Sequence, residues 1–181
     1  GVPMGGTLDP HPGDGARPTF AARALGDAAT EGVPLQRLQI IKGWIDDGEV
    51  RAAVHDIAGD ADNGATVDPD TCGRIGSGMQ QSCTVWQDPE FNPDEDAFYY
   101  VRVLENPTCR WSTLQCQAAG VNPFSEQCAT QAQQATAAAQ ARGATGDVYS
   151  KCCLDPAQQP FYSPIIQERA WSSPIWYKSG G

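Results

Sequence analysis

Histidine and positive charge are both scarce in this chain. Only two His, His11 and His55, occur in 181 residues, and no two Cys are spaced as Cys-x-x-Cys. A structural zinc site draws its ligands from such close pairs, so no zinc motif is legible. Lys and Arg number 12 against 22 acidic residues, a formal charge of −10. A field of that sign repels nucleic acid and anionic membrane surfaces, and no Lys/Arg-rich run offsets it locally, so no nucleic-acid partner is expected. No apolar stretch approaches the roughly 18–20 residues needed to span a bilayer. The opening GVPMGGTLDPHPGDGARP has neither the charged start nor the apolar run of a signal peptide, which gives the expectation of a mature, processed or excised chain. No Ser/His/Asp or Cys/His triad can be assembled, and no complete catalytic or metal-ligand set is legible, so no cofactor is expected in this chain. No Asn-x-Ser/Thr sequon free of an intervening Pro is present.

What is present is enough for one domain. The composition is 40% hydrophobic and 19% charged, which suits a chain with a buried core. Seven cysteines occur, Cys72, Cys83, Cys109, Cys116, Cys128, Cys152 and Cys153, five of them between Cys109 and Cys153. That usage reads as structural disulfides in an oxidising compartment, extracellular or periplasmic. Cys72 and Cys83 bracket the Gly-rich loop GRIGSGMQQS and could close it. Seven is odd, so one thiol is free or bridges to another chain; the connectivity does not follow from sequence.

Hydrophobic patterning assigns the elements. Residues 1–17, with five Gly and three Pro, read as an extended N-terminal arm. Residues 18–181 read as a single domain. Pro18–Asp27, PTFAARALGD, reads as a short helix with Phe20, Ala21, Ala24 and Leu25 on one face. Leu35–Ile45 and Glu49–Ala58 read as antiparallel strands joined by a turn at Asp46-Asp47-Gly48. Residues 59–82 read as loop, Cys83–Trp86 as a short strand and Ala97–Glu105 as a strong one. Glu126–Arg142, with seven Ala and five Gln, has the composition of a surface helix, stopped by Gly143. It lies in a Cys/Ala/Gln-rich insertion at 114–164. The apolar tail, with Ile165, Trp171, Ile175 and Trp176, is expected to dock on the core as an extended strand. Short strands separated by turn signals predict a mainly β, antiparallel sandwich with appended helices, stapled by disulfides. The acidic turn followed by Tyr and an alternating strand, DEDAFYYVRV, is similar to the E–F corner of immunoglobulin-like and fibronectin-like sandwiches. There a Tyr hydroxyl bonds back to the backbone, a part that falls to Tyr99 or Tyr100.

Candidate sites are sparse. Asp60, Asp62 and Asp68, with Asp70 nearby, resemble a calcium loop. Counted from Asp60, however, the EF-hand positions that need Gly and Glu hold Ala65 and Thr71, so a solvated acidic loop is the primary reading. Lys42, Arg102, Arg110, Glu168 and Arg169 are charges in otherwise apolar segments. Glu168 with Arg102 or Arg169 makes a plausible ion pair, while Lys42, Arg102 or Arg110 could line a pocket for an anionic substrate. His55 in EVRAAVHDIA reads as structural rather than as a base. The glycines of Met4-Gly5-Gly6 permit close backbone approach to the core, to a partner or to a further domain.

Several segments occur in the order of a known family: PMGGTL at Pro3–Leu8, PTFAARALGD at Pro18–Asp27, LQRLQIIKGW at Leu35–Trp44, HDIAGD at His55–Asp60, WQDPEFNPDEDAFYYVRVLENPTCRW at Trp86–Trp111 and QERAWSSPIWY at Gln167–Tyr177. Together they resemble the C-terminal part of the bacterial domain-of-unknown-function 3604 family. The segment from about Leu114 to Pro164 departs from the family pattern. The resemblance implies full-length relatives with an N-terminal part similar to PHP-type metal-dependent phosphoesterases, holding divalent metal on an Asp-x-His-x-His motif that this chain lacks. Two functions follow as expectations. One is a secreted structural or self-associating, filament-forming subunit using the N-terminal arm for strand addition. The other is the accessory half of a PHP-like hydrolase, inactive alone, whose partner is the N-terminal hydrolase domain.

Overall fold

Asp47 and Gly48 both adopt positive φ, 49° and 78°, and so form the two-residue loop that joins twisted antiparallel strands with least strain. That loop connects β3 (Leu35–Asp46) to β4 (Glu49–Gly59), the longest pair in the computed structural model, which describes residues 1–10, 16–27 and 32–180. Strand outweighs helix, 37% to 15%, so the mainly β, antiparallel reading holds. The chain divides into two compact units, one formed by residues 1–63, 77–106 and 168–181, the other by 64–76 and 107–167.

The first unit is built on a six-stranded sheet. β3 is its buried centre, almost continuously inaccessible from Leu35 to Gly43, with β4 on one side and β8 (Ala97–Glu105) on the other. The far edge of β8 carries two short strands end to end. β12 (Ile175–Tyr177) pairs with its first half and β11 (Arg169–Trp171) with its second, so the apolar tail docks as extended strand. β1 (Thr7–Leu8) lies parallel to β12, a departure from the all-antiparallel expectation made possible by the wide separation in sequence of the paired residues, Thr7 with Trp176 and Leu8 with Tyr177. A separate ribbon of β2 (Thr19–Leu25) and β7 (Gln81–Gln87) covers one face of the sheet. Phe20 of β2 sits 4.5 Å from the Tyr99 ring, and Trp86 of β7 lies 4.9 Å from His55 of β4. These contacts make two layers around a core of Phe20, Ile40, Ala97, Tyr99 and Tyr177.

β2 corrects the helix expected at Pro18–Asp27. Phe20 and Ala22 are buried and Thr19, Ala21 and Arg23 exposed, a period of two. The alanines favour helix, but seven paired residues on β7 override that preference. The extended arm is likewise only part of the picture. Residues 1–10 are laid along their own sheet edge through β1, while 11–15, with His11, fall outside the described residues.

The second unit holds α1 (Trp111–Ala118), α2 (Cys128–Gln140), a 3₁₀ turn at Ser150–Cys153 and the short pairs β5 (Thr66–Val67) with β6 (Arg74–Ile75) and β9 (Thr108–Cys109) with β10 (Ile165–Ile166). α2 is the expected Ala/Gln helix; α1 was not expected, and β5 and β6 lie in a stretch read as loop. Three disulfides, Cys72–Cys109, Cys116–Cys152 and Cys128–Cys153, all close within this unit, the last two packed with Val121 in its core. The Cys72–Cys83 closure is therefore not formed. β7 carries Cys83 to an exposed position across from Arg23, and its thiol is free.

Candidate functional site

Alternation along β3 points Leu38, Ile40, Lys42 and Trp44 toward the core, so one cation stands in an apolar row. Lys42 is 3% exposed, and its partner, Asp88, is fully buried. Lys42 Nζ lies 2.9 Å from Asp88 Oδ2 and donates to the Glu90 carbonyl at 2.9 Å. The Tyr99 hydroxyl donates to the same Oδ2 at 2.7 Å, and the Glu90 N–H donates to Oδ1 at 2.9 Å. The ammonium also faces the Trp44 ring at 5.2 Å. Burial by itself would push the Asp88 carboxyl up. The hydrogen bonds from Lys42, Tyr99 and the Glu90 amide, with the Lys42 charge, outweigh it and hold the carboxyl below its ordinary range. Burial, the hydrogen bond to Asp88 and the Asp88 charge push the Tyr99 phenol far up.

This cluster ties down the acidic turn at 88–96. Two further anchors act on the same turn: the Tyr177 hydroxyl donates to the Pro93 carbonyl at 2.9 Å, and the Ser179 amide and hydroxyl both donate to Asp96 Oδ1 at 2.7 Å. The expected tyrosine corner is thus redistributed. Tyr99 bonds a carboxylate rather than the backbone, and the tyrosine-to-backbone bond comes from Tyr177 in the tail. Asp88, Tyr177 and Ser179 were missed by sequence reasoning. The signals available were an Asp-Pro step and a lysine on the core side of a strand.

The other sequence candidates are dispersed. Arg102 points to the face opposite Lys42, where its Nε donates to Gln39 Oε1 at 2.7 Å and Gln39 donates on to Asp56 at 2.6 Å. Glu168 makes no ion pair among the described residues, contrary to the expected pairing with Arg102 or Arg169. Its carbonyl accepts from the Glu105 amide at 3.0 Å, and burial followed by the charges of Glu168 and Asp27 pushes the Glu105 carboxyl up. Arg110 belongs to the second unit, where its amide donates to the Pro164 carbonyl. Asp60 accepts from the Asp62 amide, and Asp68 accepts from the amides of Asp70 and Thr71, which hold its carboxyl low. Among the described residues, no three or more His, Cys, Asp or Glu are grouped to hold a metal ion. His55 Nε2 is buried without a hydrogen-bond partner there. The close approach permitted by Gly5 is to the chain's own tail, its amide donating to the Pro174 carbonyl at 2.9 Å.

The first unit also contains a cavity of about 570 Å³ running the length of β2. Phe20, Ile40, Tyr99 and Ile175 line it from within, and Met4 and Trp171 lie at its rim.

A family model described as protein of unknown function (DUF3604) matches residues 1–141. The chain belongs to the DUF3604 family. The matched part of this DUF3604 chain takes in β1–β9 and both helices, including residues 114–141, which the sequence reading set apart from the family pattern. It stops before the Gln167–Tyr177 segment that supplies β11 and β12. No curated protein and no solved structure matches the chain.

Proposed function

We propose that this chain is an extracytoplasmic interaction module that associates with itself by exchanging its N-terminal segment. The observation that carries this reading is how residues 1–10 are held. They join β12 by a two-residue parallel ladder, with backbone bonds from Gly5 to Pro174, from Trp176 to Gly6 and from Lys178 to Leu8. So short a contact separates at low cost, and the same edge on a second copy offers identical bonding partners. Exchange between two copies gives a closed dimer; donation from each copy to the next gives an open, filament-forming series. Three disulfides support an oxidising, extracellular or periplasmic setting. Sedimentation velocity over a concentration series tests the reading. The full chain should form dimers and larger species, and a chain lacking residues 1–10 should stay monomeric. Monomers of both at every concentration would remove the proposal.

A second reading rests on the resemblance set out from the sequence: an accessory half of a PHP-like hydrolase that is inactive alone. Divalent metal would then reside on the N-terminal part of a longer relative. Mixing this chain with such a part and divalent metal should raise phosphoesterase turnover, and Arg102→Ala should reduce it. Turnover that ignores this chain would dismiss the idea.

A further inference from the structure

The layer that covers the sheet stops at β2. The β2–β7 ribbon is two strands wide, whereas the sheet beneath it has six strands, ordered β1–β12–β8–β3–β4 with β11 beside β8. The shortfall shows along β8. Tyr99, Val101 and Val103 share its core-facing side, yet Tyr99, packed against Phe20 of β2, is buried while Val101 and Val103 are only half-buried. Ile175 on neighbouring β12 is half-buried as well.

The edge of β2 carries unmet backbone. The Gly26 N–H donates to the Gln80 carbonyl at 2.8 Å, which sets the phase of the antiparallel ladder. In that phase Phe20, Ala22 and Ala24 bond to β7, and Thr19, Ala21, Arg23 and Leu25 turn their N–H and C=O groups to the opposite edge. Among the described residues no strand pairs with that edge and no hydrogen bond meets those groups. The cavity of about 570 Å³ runs along it. All seven residues of β2 line the cavity, outward as well as inward positions, so the strand's edge forms part of the wall. Val101, Val103 and Ile175 lie among the other lining residues. The inward Ala22 and Ala24 present only methyl groups, which leaves width for side chains from a neighbouring strand.

A row of free donors and acceptors at strand spacing is met in full only by another extended backbone. We propose that the cavity is a strand-addition groove. Its occupant is an extended segment of another protein, about seven residues long to match β2 and apolar at alternate positions. It becomes the third strand of the short layer, hydrogen-bonded to β2, with its apolar side chains over Val101, Val103 and Ile175. Met4 and Leu8 also line the groove, so segment exchange replaces them with a second copy's equivalents and keeps the groove in place.

Calorimetric titration of the full chain with the acetylated, amidated heptapeptide Glu-Val-Thr-Val-Thr-Val-Lys tests this. The expected result is saturable binding of one peptide per chain. Two further peptides, N-methylated either on the three Val or on the two Thr and the Lys, separate strand pairing from apolar contact. One alternate set of amides faces β2, so the two peptides should differ in affinity at least about tenfold. Ala21→Pro removes an edge N–H that bonds nothing in the free protein, and proline is tolerated on edge strands at such positions. It should leave thermal unfolding little changed and weaken the unmethylated peptide about tenfold; the methylated pair needs no variant and decides the matter if this one fails to fold. Absence of saturable binding, or equal affinity for the two methylated peptides, would overturn the proposal. Sedimentation of the same solutions keeps the two accounts apart. Peptide binding by a chain that stays monomeric upholds the groove and removes segment exchange, and oligomers that bind no peptide do the reverse.

Discussion

Lys42 is the residue at which a pattern rule breaks for a reason. Alternation along β3 calls for an apolar side chain, and the lysine is accommodated because Asp88, the Glu90 carbonyl and the Trp44 ring meet its charge. Removing one partner leaves the other charge buried and unpaired. Asp88→Ala should therefore cost about 3–5 kcal/mol in urea unfolding, and the double variant Lys42→Met/Asp88→Leu should recover much of that. The pH dependence has a definite sign. The Asp88 carboxyl sits below its ordinary value of 3.8 in the folded state, so its contribution is fully present above pH 3.8 and is lost as pH falls toward the folded value. Asp88→Asn should flatten that acid limb. Glu105 carries the opposite sign: its carboxyl is pushed up by burial, Glu168 and Asp27, so ionisation on rising pH weakens the fold. Glu105→Gln should raise the melting temperature at pH 7 and leave it unchanged well below pH 4.

At the scale of elements, Gly43 and Phe98 show how β3 and β8 fit. They are cross-strand partners, and a Cβ on Gly43 would run into the Phe98 ring, which also packs 5.5 Å from Trp176. Gly43→Ala should cost about 1–3 kcal/mol by forcing the ring aside, and Phe98→Leu in the same chain should relieve part of that loss, as read by thermal unfolding. The β3–β4 hairpin and β8 were legible because local signals agreed: β-branched and aromatic residues in alternation and an Asp-Gly loop. β2 was misread because its alanines favour helix locally and only the distant β7 fixes it as strand. α1 was invisible because it has no side-chain N-cap and leaves Trp111 and Leu114 exposed. The Asp88 cluster joins residues 42, 88 and 99, and no local pattern announces such a meeting. The β2 cavity was equally hidden, since it depends on what the alanines leave unfilled across the layer.

At the scale of the molecule, the disulfides divide the labour. All three lie in the second unit, and the first unit holds only the free Cys83. Small cores gain most from such cross-links, each worth about 2–5 kcal/mol when removed. Reduction should abolish the helical signal in circular dichroism and lower one unfolding transition, while the sheet signal of the first unit persists. In the unreduced protein a thiol reagent should titrate one cysteine per chain.

The most direct measurement for the self-association account is cross-linking across the β1–β12 ladder. Thr7 and Trp176 are register partners and both exposed, so chains bearing Thr7→Cys and chains bearing Trp176→Cys, each with Cys83→Ser, can be mixed and oxidised. Segment exchange predicts a covalent dimer containing one chain of each kind, its yield rising with concentration. Uncrosslinked single chains in the mixture, together with complete intrachain closure in a chain carrying both cysteines, would contradict it.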